Sequence, residues 1–277
     1  NEAKKNDCIV TVGDGDEPVA AVELYNFAKE ISLDVIAIGK GKNNPFDVFK
    51  TPKDLEKEAK VKKMNPYMLT SFVDGSKTMI EMAALANYLD FNIDIDGMHG
   101  PSSTYEELNS IFVPKSSGGI LENINIVDFA FGIAPGVFAI VFSEDDYVNY
   151  EMEYLKMGKG PYWTLYRPYH LTSLEIPRTI MKLMVEKETQ LSAKKWNVDV
   201  IAHSKKDLKA GTNLGSIGGD NIYGKAMKVE NSKNLAPLGI SENNVLNSDV
   251  KKGDPISIDN LDITDNQLYK YWVSQNN

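Results

Sequence analysis

From Ser76 to Leu89 the chain carries Met79, Ile80, Met82, Ala83, Ala84, Leu85, Ala86 and Leu89, with scarcely a polar position between them. Helical spacing leaves this segment almost no polar face, so it predicts a helix that other elements must enclose. A chain that wraps such a helix needs a sizeable core. Its 277 residues, 42% of them apolar and 25% charged, can supply one. Lys77 and Glu81 lie on this same helix, four residues apart. Desolvation weakens a lysine's hold on its proton and strengthens a carboxylate's, so the pair can be poised for proton transfer to a substrate oxygen. The same spacing also makes an ordinary ion pair at a helix start. Asp74, just ahead, is either a helix cap or a second carboxylate of a site.

Upstream, the β-branched run Ile9 to Val12, the turn Gly13-Asp14-Gly15-Asp16-Glu17-Pro18, apolar positions from Ala20 to Ile31 and the run Val35 to Ile38 read as strand, helix, strand. Such a unit implies two parallel strands with a right-handed crossover and ligands at their carboxyl ends, here Gly13 to Asp16 and Gly39 to Asn44. In Gly39-Lys40-Gly41-Lys42-Asn43-Asn44-Pro45, glycines let backbone approach a ligand, and Lys40 or Lys42 could hold a phosphate or polarise a carbonyl. A solvated turn carrying two lysines is the equal alternative, and the spacing is not that of a phosphate-binding Walker loop.

Thr51-Pro52-Lys53-Asp54 starts a charged surface helix to Lys63. One helix is expected near Tyr105 to Phe112, neighbouring strands at Val127 to Phe131 and Val137 to Val141, a strand at Tyr162 to Tyr166 and a helix at Leu174 to Glu186. This mixture is of α+β type. After Trp196 come short β-like runs in which Asp207-Leu208-Lys209-Ala210-Gly211 is echoed by Asp249-Val250-Lys251-Lys252-Gly253, the mark of a small pseudo-symmetric β unit.

The net charge of −9 has the wrong sign for neutralising a phosphate backbone, which argues against nucleic acid as a partner. Arg167 and Arg178 are the only arginines, so a bidentate grip on an anion must come from them. Arg167 and His170 in Tyr166-Arg167-Pro168-Tyr169-His170 make an anion-binding and proton-transfer pair, or a structural arginine stacked on tyrosines beside a packed histidine. His99 follows Asp94 and Asp96 at spacings common by chance, so no metal is assigned there. The single Cys8 rules out an internal disulfide and fits a reducing cytoplasm. The longest apolar run, Phe129 to Phe142, is broken by Gly132, Pro135 and Gly136 and is too short for a membrane span.

Taken together, Asp16-Glu17-Pro18, Gly39 to Pro45, Thr70-Ser71-Phe72-Val73-Asp74-Gly75-Ser76-Lys77, Gly97-Met98-His99-Gly100-Pro101, Ala134-Pro135-Gly136-Val137 and Tyr166 to His170 resemble the homoserine-dehydrogenase-like oxidoreductases that end in a SAF domain. One branch of that family is described as reductoisomerase-like, acting on 1-deoxy-D-xylulose 5-phosphate. The segment through Leu238-Gly239-Ile240 and Asp249 to Ile256 resembles the SAF β-clip of type III antifreeze proteins and sialic acid synthases.

The resemblance implies three parts. Residues 1–44 would be the C-terminal remnant of a Rossmann-type parallel sheet, 45–196 an α+β substrate domain and 197–277 the β-clip. It implies an NAD- or NADP-dependent oxidoreductase acting on a small hydroxy or keto substrate that can carry a phosphate, in a cytoplasmic homo-oligomer. Lys77 would hold the substrate oxygen, with Glu81 tuning it and Asp74 beside it. Lys40, Lys42, Asn43, His99, Arg167 and His170 would bind the substrate, and the nicotinamide would lie near Gly13, Asp14 and Gly39. The fingerprint Gly-x-Gly-x-x-Gly is missing, and Asn1 to Asp7 read as the middle of a longer chain whose cofactor half lies upstream. A non-catalytic SAF module for sugar binding or oligomerisation is the alternative.

Overall fold

The computed structural model describes residues 2–187, 189–263 and 267–275. They fall into two compact units. One comprises the chain up to Asn43 together with Glu81–Asn197, the other Asn44–Ile80 together with the chain from Val198 onward. The division falls inside the helix Ser76–Leu89. On that helix Met79, Met82, Ala83, Leu85, Ala86 and Leu89 are buried, as the near-absence of a polar face requires, and Ile80 is exposed.

In the first unit the helix Glu17–Glu30 opens with Asp16 extended and Pro18 in its first turn, where proline's missing N–H costs nothing. Val19, Ala20, Ala21, Val22 and Ala28 line its buried face. It leads into β1 (Asp34–Lys42), which is joined by β2 (Ile126–Phe131), β3 (Val137–Phe142) and β4 (Tyr162–Arg167) in the order β2-β1-β3-β4. β1 runs parallel to β2 and antiparallel to β3, and β3 runs antiparallel to β4, so the sheet is mixed. Ile36, Ala37, Ile126, Ala130, Phe138 and Ile140 pack there with Leu108, Phe112 and Leu121. Phe112 stacks on Phe138 with ring centroids 4.9 Å apart.

Three expectations change here. Ile9 to Val12 is not a strand: both ladder edges of β1 are taken, by β2 and β3, and Ile9 and Val10 are exposed. β2 and β3 are not neighbours, because β1 lies between them. Gly39 to Lys42 is no turn but the second half of β1, and Lys40 and Lys42 are buried.

The second unit has two helices, Pro52–Lys62 and Pro66–Val73. Thr51 and Asp54 form the expected capping box, and Asn65 Oδ1 accepts from the Tyr67 N–H at 2.8 Å. Leu55, Ala59, Leu69 and Val73 pack between these helices. β5 (Val198–Ser204) and β6 (Ile222–Lys228) form an antiparallel pair.

The sequence echo is a two-fold axis. Leu208 and Val250 exchange both backbone bonds, at 2.8 and 2.9 Å. Asp207 Oδ1 accepts from the Lys252 N–H and Asp249 Oδ1 from the Ala210 N–H, while the Gly211 N–H bonds Leu246 and the Gly253 N–H bonds Ser204. Gly211 and Gly253 both have φ of 85°, the left-handed region where only glycine is unstrained.

A buried ion pair ties the two stretches of this unit together. Lys205 Nζ lies 2.8 Å from Asp74 Oδ2, with side chains 1% and 0% exposed. Lys205 also donates to the carbonyls of Lys50 and Gly219. Burial pulls the Lys205 ammonium below its ordinary range, and Asp74 opposes this. Removing one partner strands the other charge away from water. Lys205→Met is therefore expected to lower the unfolding free energy in urea by about 3–5 kcal/mol, and the double variant Asp74→Asn, Lys205→Met to recover most of it.

Candidate active site

The first unit holds a buried cation between two carboxylates. Lys40 stands on β1 between Gly39 and Gly41, so by strand alternation its side chain leaves the sheet on the face opposite theirs. Its Nζ lies 2.8 Å from Glu17 Oε2 and is also ion-paired with Glu81 Oε2. Glu17 comes from the first turn of the helix after Pro18's turn, Glu81 from the apolar helix. Their residues are 5% (Lys40), 8% (Glu17) and 6% (Glu81) exposed.

His170 Nε2 is 3.6 Å from Glu17 Oε1. His170 Nδ1 sits 3.0 Å from the Gly15 carbonyl. A carbonyl only accepts, so Nδ1 carries a proton, and Nε2 gains one when the ring is charged. Burial pushes the Glu17 carboxyl above its ordinary range; Lys40 opposes this and Glu81 adds to it. Lys40, Glu17, Glu81 and His170 thus form a group able to hold and pass protons at low dielectric.

A second group lies along the outer edge of β2, which is bridged at Asn92 and Ser102. Asp128, fully buried in an otherwise apolar strand, accepts from the N–H groups of His99, Gly100 and Phe129 at 3.0, 3.0 and 2.7 Å. Asp94 bonds His99 Nε2 at 2.9 Å and accepts from the Glu122 and Asn123 N–H groups. Among the described residues, no cluster of three or more His, Cys, Asp or Glu could hold a metal ion.

The remaining expected residues are placed elsewhere. Arg167 donates to Glu23 at 2.7 Å and pairs with Glu175, which also binds Arg178, and its guanidinium lies 5.0 Å from the Tyr169 ring centroid. It is a cross-brace between β4 and two helices, and two carboxylates already occupy its donors. Lys42 is buried at the end of β1 and Asn43 just after it is exposed.

Gly13, Asp14 and Gly39 do not form a cofactor cradle. A Cβ on Gly39 would lie 1.8 Å from the Asp128 carbonyl oxygen, so this glycine serves the contact between strands. The corresponding position on Gly13 is filled by Ile176. The Asp14 carboxylate is buried on Lys182 and on Thr179 at 2.9 Å; burial alone would raise it, but these bonds hold it below its ordinary range. These residues do not fit a dinucleotide.

Asp74 and Lys77 belong to the second unit. Asp74 caps the next turn by accepting from the Ser76 N–H at 2.9 Å and pairs with Lys205. Lys77 is half-buried, 5.0 Å from the Phe72 ring centroid, and lines a cavity of about 430 Å³ with Tyr67, Met68, Ser71 and Phe72. Among the predicted site residues, the structure joins Lys40, Glu81 and His170. Glu17 escapes a sequence reading because an acidic residue beside a helix-starting proline looks like a cap. Asp128 had a signal in being the lone charge inside an apolar strand.

Burial raises the Asp128 carboxyl from 3.8 to about 6, only partly offset by its three N–H donors. A group with a raised folded-state pKa stabilises the fold fully below about pH 3.8, and this stabilisation is lost as pH rises through about 6. Carboxyl carbon NMR is expected to show a midpoint for Asp128 near pH 6, and Asp128→Asn to remove an unfolding free-energy loss of about 3 kcal/mol between pH 4 and 7.

No curated protein matches the chain. Residues 15–176, which contain Glu17, Lys40, Glu81, His99 and His170, match the family described as oxidoreductase DRL, catalytic domain. With more than half its length inside that match, the chain belongs to the oxidoreductase DRL catalytic-domain family.

Proposed function

We propose that the intact protein is an NAD(P)-dependent oxidoreductase of homoserine-dehydrogenase-like type, interconverting a small hydroxy and keto substrate that can be a sugar phosphate. The observation that carries this reading is Lys40 enclosed by Glu17 and Glu81 within the span matched to an oxidoreductase catalytic domain. Burying three ionised groups costs several kcal/mol per ion unless geometry and further bonds offset it. Such groups gather where a reaction needs charge at low dielectric.

In this reading Lys40 stabilises negative charge developing on the substrate oxygen. Glu17 and Glu81 pair with the lysine, and His170 lies beside Glu17. Lys77 belongs to the second unit and lines a cavity of its own there. Gly13, Asp14 and Gly39 are filled by the protein itself and take no part in holding the nicotinamide. The segment 197–277 is read as the SAF β-clip, supported by its two-fold pattern of backbone bonds. A cytoplasmic homo-oligomer is the expected setting.

Nicotinamide absorbance followed over a panel of hydroxy acids, keto acids and sugar phosphates tests the reading on the intact protein. Turnover of at least one of them is expected, and none across the panel sinks the proposal. Glu81→Gln keeps the shape of the group and removes one charge, and is expected to lower kcat at least tenfold.

A further inference from the structure

Three independent observations converge on the imidazole of His99. The backbone just before it is strained at Met98, a buried residue with φ of 65° in a region that favours glycine. Such conformations persist only where the surroundings hold them, and they concentrate at functional sites. Two buried carboxylates do the holding. Asp128 fixes the backbone through the N–H groups of His99 and Gly100, and Asp94 fixes the ring through Nε2 at 2.9 Å. Finally, His99 Nδ1 has no hydrogen-bond partner among the described residues, although the side chain is only 19% exposed.

These bonds decide the tautomer. An ionised carboxylate only accepts, so Nε2 carries the proton and Nδ1 is the basic nitrogen. Asp94 stays ionised: its burial, which alone would raise it, is outweighed by the Glu122 N–H and by His99 and Asn123. The charged groups facing the ring are Asp94 from its own loop and Asp128 from β2. Glu122 contributes its N–H here, and its carboxylate pairs with Lys115.

We propose that His99 is a second proton-exchanging residue of this protein, taking the proton of a ligand hydroxyl on Nδ1, with Asp94 and Asp128 as its positioning residues. The proposal goes beyond the Lys40 group and rests on the oxidoreductase reading only for the identity of the hydroxyl's bearer. In the step, the ligand O–H bond breaks, its electron pair stays on oxygen and the proton forms a new N–H bond at Nδ1. The imidazolium charge is balanced by Asp94, and the reverse step returns the proton. Neither carboxylate touches the ligand. Asp94 acts through the ring and Asp128 through the loop.

With 3 histidines in the chain, nitrogen-15 NMR of the imidazoles, assigned with His99→Asn, is a direct test. The Nε2–H tautomer is expected for His99, as the Asp94 acceptor at Nε2 requires. On the intact protein, His99→Asn is expected to lower kcat at least tenfold. Asp94→Asn is expected to lower kcat severalfold with KM little changed, a split that a merely structural carboxylate would not produce. An Nδ1–H tautomer, or wild-type turnover in His99→Asn, overturns the proposal. The expected tautomer in a protein without nicotinamide-linked turnover would support the His99 pair and sink only the oxidoreductase reading.

Discussion

The first unit depends on one ammonium kept from water. Lys40 reaches Glu17 and Glu81 from a central strand, and those carboxylates come from two different helices. An isolated charge in that position would be prohibitively costly, so the helix starting at Glu17, the strand and the apolar helix must meet in one arrangement or not at all. The group therefore fixes how these elements are assembled. It also leaves one carboxylate, Glu17, whose proton affinity is raised by burial within the span matched to the oxidoreductase family.

The other face of the same strand solves a packing problem with glycine. Gly39 admits the Asp128 backbone and Gly41 admits that of Ala134, since a Cβ on either would collide with those atoms. The strands can approach because alternate residues of β1 lack side chains on this face, while Lys40 and Lys42 stand on the opposite one. The outer edge of β2 is bridged at Asn92 and Ser102, and Asp128 and Asp94 complete the bonding beside it. They supply acceptors to a loop that would otherwise leave its N–H groups unpaired.

Much of this was legible along the chain, and the limits were physical. The capping box at Thr51, the helix Ser76–Leu89 and the strands at Ile126–Phe131, Val137–Phe142 and Tyr162–Arg167 follow from local signals that the fold respects. Ile9 to Val12 carries the same β-branched signal but cannot pair with β1, whose two edges are taken by β2 and β3. Glycines between lysines read as a turn because local propensity does not register a backbone approaching from a distant strand. Glu81 was recognisable as a buried carboxylate. Its pairing with Lys40 was not, because the two meet only once helix and strand are packed.

The sequence by itself determined which segments are helical or apolar, that Glu81 and Lys77 lie on a helix with hardly a polar face, and that the last part contains two related halves. Periodicity, capping residues and repetition are written in neighbouring positions, and neighbouring positions decide them. Only the tertiary structure decided which charges are neutralised by which. It gave Lys40 two carboxylates, drew Arg167 into a brace, paired Asp74 with Lys205 and left His99 Nδ1 open. The reason is that an ion pair's strength depends on separation and on exclusion of water, and neither is defined until residues distant in the chain have been brought together.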